Sequence, residues 1–166
     1  MRASILLASA LLLWTQPRHA QAQPTARARA AAEREIAAVE AVYRAVERAT
    51  LVRRDSTVQC PDELEEEVTR YVDSAGTVRR LTWQGGTDDH AETHEFYYDQ
   101  AGRLRFIFSS FRAVNGTGVE ERVFYAPDRR LLRRRRNRIA GPGYPFASVE
   151  PVWRPNQWLR QLCSGR

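Results

Sequence analysis

The chain has 166 residues, 26 basic and 20 acidic side chains and a net charge of +6, a length that suits one core of ordinary domain size. With 43% of its residues hydrophobic, the composition excludes a disordered polyelectrolyte. Every basic residue is Arg, in a chain also rich in Ala, a bias that fits a GC-rich genome better than selection for phosphate-binding forks.

Residues 1–22 read as a signal peptide. Arg2 gives the positive start, Ile5 to Trp14 form the apolar core, and Ala20-Gln21-Ala22 supplies the small residues for cleavage before Gln23. The apolar run is shorter than the roughly 20 residues of a spanning helix, and no second one follows, so no transmembrane segment is expected after signal cleavage. With no cysteine at the cleavage site for a lipid anchor, the expected product is exported, periplasmic or extracellular. Removing Arg2 and Arg18 takes no acid and leaves a milder basic excess.

Residues 23–31 are expected to be a flexible lead-in and residues 32–166 a single α+β domain. A helix is predicted over 32–50, where Ala32, Ile36, Val39, Tyr43, Val46 and Thr50 recur at spacings of four and three and form one seam. Glu40 and Arg44 make a favourable pair one turn apart on the solvent side. The seam spans fewer than three heptads, so packing on the protein's own sheet is expected rather than a coiled coil.

After Cys60-Pro61 the period changes. Six strands of a β-meander are predicted within 65–140: Glu65 to Asp73, Val78 to Gly85, Ala91 to Asp99, Leu104 to Val114, Val119 to Ala126 and Leu131 to Ala140. Short turn-forming links between them imply antiparallel neighbours. In the fourth strand Leu104, Phe106 and Phe108 should share one face and Ile107 and Phe111 the other, so both faces should be covered, one by the helix and one by the C-terminal segment. Residues 141–155, with Pro142, Pro145, Pro151 and Pro155, are expected to wrap over the surface in extended form. A short helix over Asn156 to Leu162, with Trp153, Trp158 and Leu159 as apolar anchors, should follow.

An internal repeat runs through the meander. Tyr71-Val-Asp73-Ser-Ala-Gly76-Thr-Val78 recurs as Tyr97-Tyr-Asp99-Gln-Ala-Gly102-Arg-Leu104, and again in degenerate form as Phe124-Tyr-Ala-Pro-Asp-Arg-Arg-Leu131. This pattern resembles the tyrosine-aspartate hairpin repeats of secreted bacterial proteins. The second copy, from Tyr98 to Leu104, fits that motif; the first has one extra residue between Tyr71 and Asp73, and the third lacks the glycine. The resemblance implies hairpins in which glycine allows positive φ and the flanking apolar residues pack across the turn. Three copies imply a single sheet rather than a large shell.

Four groups of residues are chemical candidates. His90, Glu92 and His94 would share one face of a strand, at a spacing that lets imidazole and carboxylate converge on a metal. The expected cofactor set is none, with zinc or another transition metal as the alternative at this trio; beside a Gly-Gly turn, the default is a solvated polar face. The acidic run Glu63, Glu65, Glu66 and Glu67 meets the count of acids for glycoside hydrolysis, but a solvated edge is the simpler expectation.

Arg133, Arg134, Arg135 and Arg136 form an anion- or partner-binding candidate. The competing expectation is a guarded sheet edge, with Glu121 opposite Arg135 and Glu120 opposite Arg136. Cys60 and Cys163 are expected to form a disulfide, as an even pair in an exported chain. The leading expectation is an exported, non-enzymatic binding or structural protein whose partner is a protein or an acidic envelope component, nucleic acid being disfavoured by export. The alternative is a metal-assisted hydrolase using the His-x-Glu-x-His strand.

Overall fold

The computed structural model describes residues 26–58 and 66–156. The expected signal peptide, the Cys60–Cys163 disulfide and the C-terminal helix beyond Asn156 lie outside those residues.

Helix α1 spans Ala26–Arg48. It begins six residues before the apolar seam because the Ala-Arg run preceding Ala32 is itself strongly helix-forming, so the expected lead-in is partly helical. The seam is buried at Ile36, Val39 and Val46, each worth roughly 1.5–3 kcal/mol when fully buried. Tyr43 sets its ring edge against Tyr97 and Phe106, at centroid distances of 5.0 and 5.4 Å. Glu40 and Arg44 pair at 3.5 Å as expected.

Seven strands follow, not six: β1 (Val52–Val58), β2 (Glu66–Val72), β3 (Val78–Thr87), β4 (His90–Tyr98), β5 (Leu104–Ala113), β6 (Gly118–Tyr125) and β7 (Leu131–Ala140). They form one antiparallel sheet in sequence order. The unforeseen strand, β1, is an edge; its VRRDSTV sequence carries three consecutive charges and lacks the apolar alternation that marks a half-buried strand. A second difference is at Gly85-Gly86, which continue β3 instead of turning. The turn falls at Asp88-Asp89, and a Cβ on Gly86 would lie 2.3 Å from the His90 carbonyl oxygen, so glycine is needed for close strand approach.

The repeat has a common geometry. The Asp73 and Asp99 amides bond to the carbonyls of Thr77 and Arg103, and those of Gly76 and Gly102 return to the two Asp carbonyls; the glycines have φ of +78° and +70°. The third copy closes the same way between Ala126 and Arg130, with Arg129 at φ +72° in place of glycine. One residue past each turn the register slips, so that Val72 faces Val78 while Tyr71 faces Arg80, Tyr98 faces Leu104 while Tyr97 faces Phe106, and Tyr125 faces Leu131 while Phe124 faces Arg133. Arg79, Arg105 and Leu132 are the extra residues of three β-bulges.

Those bulges overturn the expected face of Leu104. It leaves Phe106 and joins Ile107. Phe106, Tyr97 and Phe124 pack under α1 with Ile36, Val39 and Val46. On the opposite face Val68, Leu81, Trp83, Phe96, Tyr98, Leu104, Ile107 and Val123 form a second core. This face is roofed by residues 141–154, a strap that adds no strand and buries Phe146 and Val152. The Tyr98 hydroxyl holds it by donating to the Val152 carbonyl at 2.9 Å.

Candidate functional site

Alternation along β4 places His90, Glu92, His94, Phe96 and Tyr98 on the strap face. The register then sets Trp83 of β3, His94, Ser109 of β5, Glu121 of β6 and Arg136 of β7 opposite one another in successive strand pairs. His94 and Glu121 are each only 1% exposed and Ser109 is fully buried, so the expected solvated face is a covered one. Burial follows from the strap and from two rings: Trp83 stacks on His94 at 4.7 Å, and Phe111 meets its edge at 5.3 Å.

The three residues predicted as a metal site do come together, in a hydrogen-bonded chain. His90 Nε2 lies 3.0 Å from Glu92 Oε1, and His94 Nε2 lies 2.8 Å from Glu92 Oε2. On their other nitrogens, His90 Nδ1 is 2.9 Å from Asp89 Oδ1 and His94 Nδ1 is 2.8 Å from Ser109 Oγ. The Tyr144 hydroxyl, on the strap, donates to Asp89 Oδ2 at 2.6 Å. The chain therefore runs Ser109, His94, Glu92, His90, Asp89, Tyr144, from the core to the strap.

Proton accounting fixes much of its chemistry. An ionised carboxylate can only accept, so the placement of His90, with one nitrogen toward Asp89 and Thr87 and the other toward Glu92, favours the form protonated on both. The pKa shifts agree: the hydrogen bond to Asp89 raises His90, with Glu92 adding to it against a burial cost. Asp89 is held well below the usual carboxylate range by hydrogen bonds from Thr87, Tyr144 and His90. Burial pushes Glu92 up, but bonds from His94 and His90 outweigh it and leave its carboxyl lowered. The Tyr144 hydroxyl is raised by the hydrogen bond it donates to Asp89, with desolvation and the Asp89 charge adding to it.

Among the described residues no group of three or more His, Cys, Asp and Glu side chains is arranged to hold a metal ion. In the trio, each Nε2 spends its proton on Glu92, and a metal would have to displace both protons and separate the carboxylate from its donors. Ser109, His94 and Glu92 have the connectivity of a nucleophile, base and acid, yet a hydroxyl with no exposure cannot reach a substrate.

Beside the chain is a cavity of about 330 Å³, walled by Trp83, Gly86, Thr87, His90 and Glu92 and roofed by Tyr144 to Ala147. Sequence reasoning found two of its residues, His90 and Glu92, and missed Trp83, Tyr144 and Phe146 of its wall and Asp89 of the adjoining chain. Their only early signal was the aromatic pair Tyr144 and Phe146 within a proline-rich segment.

The arginine run is largely engaged in structure. Arg133 pairs with Glu33 of α1. Arg136 contacts Glu121 at 3.4 Å and donates to the strap carbonyls of Phe146 and Ala147 at 3.0 and 3.1 Å. The expected pairings are corrected by one residue: the bulge at Leu132 moves Glu121 opposite Arg136 and Glu120 opposite Asn137, leaving Arg135 opposite Arg122. Glu120 instead pairs with Arg122 of its own strand at 2.9 Å. Of the acidic run, Glu67, opposite Thr57 in the register, reaches along the strands to Arg53 of β1 at 3.4 Å, while Glu63 and Glu65 lie outside the described residues.

Fold and site together define a class of protein, a helix-backed antiparallel meander with a strap-roofed cavity. Comparison with protein-family models, curated proteins and solved structures finds no match to this chain.

Proposed function

We propose that the chain is an exported, non-enzymatic binding protein whose ligand site is the cavity beneath the strap. The observation that carries this reading is the pairing of every ionisable group there. His90 is held between two carboxylates, and Ser109 lies out of reach, an arrangement that fixes shape and charge instead of leaving a base or nucleophile poised. The cavity is at the small end of the roughly 300–1,000 Å³ of ligand pockets and combines aromatic walls with a few convergent polar groups. The arginine edge is the weaker candidate interface, since Arg133 and Arg136 already hold the helix and the strap. Export rests on the leader pattern of residues 1–22.

The test is a ligand screen on the mature protein and on Ala147→Trp, which plugs the cavity from an exposed strap position. Saturable binding lost in the plugged variant is expected. Binding that is equal in both, or that disappears only with Arg134→Ala/Arg135→Ala, would move the site to the edge. Intact mass of the secreted product should correspond to cleavage before Gln23.

A further inference from the structure

We propose that the cavity selects a small organic ammonium ion. This rests on its being a ligand site, and it follows from which hydrogen-bonding valences the cavity leaves open. The hydroxyl and imidazole donors that line it are spent on carboxylates: Thr87 on Asp89, both nitrogens of His90 on Asp89 and Glu92, and Tyr144 on Asp89. Glu92 accepts one bond at each oxygen, and a carboxylate has about four acceptor positions. Its side chain is 22% exposed, so unspent lone pairs face the cavity.

Charge points the same way. Asp89 and Glu92 contribute two negative charges against one positive charge on His90. The β7 guanidinium that holds the strap, Arg136, is matched by the buried Glu121. The remaining wall is π-surface: Tyr144 and Phe146 lie 4.4 Å apart, centroid to centroid, with Trp83 across the cavity. Aromatic faces attract cations, Trp most strongly. A ligand here must therefore bring its own donors and a positive charge, which an alkylammonium does. An anion would meet the Glu92 carboxylate, with the charge of Asp89 close by on His90 and Tyr144, and a neutral polyol would leave its own acceptors poorly supplied with donors.

The probes are n-butylammonium, n-butanol and butyrate, which share a chain and differ in charge and hydrogen-bonding head. Binding is followed by calorimetry and by the Trp83 indole NMR resonance. Saturable binding of n-butylammonium alone is expected, weakened at least tenfold in Glu92→Gln and abolished in Ala147→Trp. If n-butanol or butyrate binds as well or better in a manner lost in Ala147→Trp, the cavity is a ligand site and the ammonium assignment is wrong. If none of the three binds, the assignment falls and the cavity reading loses its support with it. Ammonium binding that survives either variant also overturns the proposal. Should Glu92→Gln fail to fold, Ala147→Trp and the three-probe comparison decide alone.

Discussion

At the residue scale the most consequential group is His90, because its proton joins two carboxylates to each other and, through Asp89, to the strap. Its folded pKa is raised, so the stability it contributes is full below the unfolded value of about 6.5 and is lost as pH rises through the folded value. Glu92 and Asp89 are lowered, so theirs is present above the unfolded value of about 4 and is lost as pH falls through the folded ones. Urea denaturation across pH should therefore show a plateau bounded on the acid side by the carboxylates and on the alkaline side by His90. His90→Gln should remove the alkaline fall; an alkaline limb identical to wild type would show that His90 does not link proton and strap.

Asp99 offers a second test. It accepts from the amides of Ala101 and Arg103 and from the guanidiniums of Arg103 and Arg105, and Arg105 is buried against the Tyr125 carbonyl. Removing that carboxylate leaves a buried cation without its counter-ion, so Asp99→Ala should cost about 2–4 kcal/mol in urea unfolding. The same change at Asp73, which is more exposed, should cost less. Equal costs would mean that burial of Arg105 is not the source.

At the element scale, hairpins are where sequence and structure agree most closely. Each turn carries its own chemistry, and each of the six predicted strands ends within a few residues of its predicted limit. What the sequence hid were the slips between strands. A bulge inserts one residue without changing composition, so nothing in Leu104-Arg105-Phe106 or Leu131-Leu132-Arg133 announces that alternation breaks there. The errors for the face of Leu104 and for the partners of Glu120 and Glu121 share that cause. Arg79 and Arg105 are the trace it leaves: each follows its turn Asp by six residues, reaches back to that Asp at 3.4 Å and donates to a carbonyl of the next strand, Tyr98 or Tyr125. The third copy has Ala126 and Leu132 in place of that Asp and Arg, and β7 is the last strand of the sheet.

Two glycines test this level of organisation. Gly86→Ala forces a Cβ against backbone, and an unfolding penalty above about 2 kcal/mol is expected. Gly76→Ala, with positive φ but open space around it, should cost only about 1 kcal/mol. Reversal of that order in thermal melts would place the constraint in φ rather than in strand approach.

Across the whole molecule, the sheet separates two kinds of cover. The helix face is apolar and was legible from the seam of α1 and the aromatics of β4 to β6. The strap face was not, because a proline-rich segment gives no periodicity and its contacts are made by carbonyls and isolated side chains. Arg136 is central to it, donating to two strap carbonyls while facing Glu121, whose other oxygen, Oε2, is buried without a hydrogen-bond partner. Arg136→Ala should destabilise by about 3 kcal/mol, the range for stripping a buried charge of its partner, and should make residues 144–152 cleavable in limited proteolysis. Arg135→Ala should stay within about 0.5 kcal/mol of wild type. If both behave alike, the strap is held by its apolar side chains and not by the arginine.

The pairing of every strand with its neighbour in sequence sets an order of assembly. Hairpins close within microseconds when their partners are local, and proteins rich in local contacts fold faster than sheets built from distant segments. During synthesis each strand can join the growing sheet as it emerges, and the strap, made after β7, arrives after every strand it covers. The cavity would thus form only after the sheet, and a chain truncated before Tyr144 should retain its hairpins while lacking the cavity's roof.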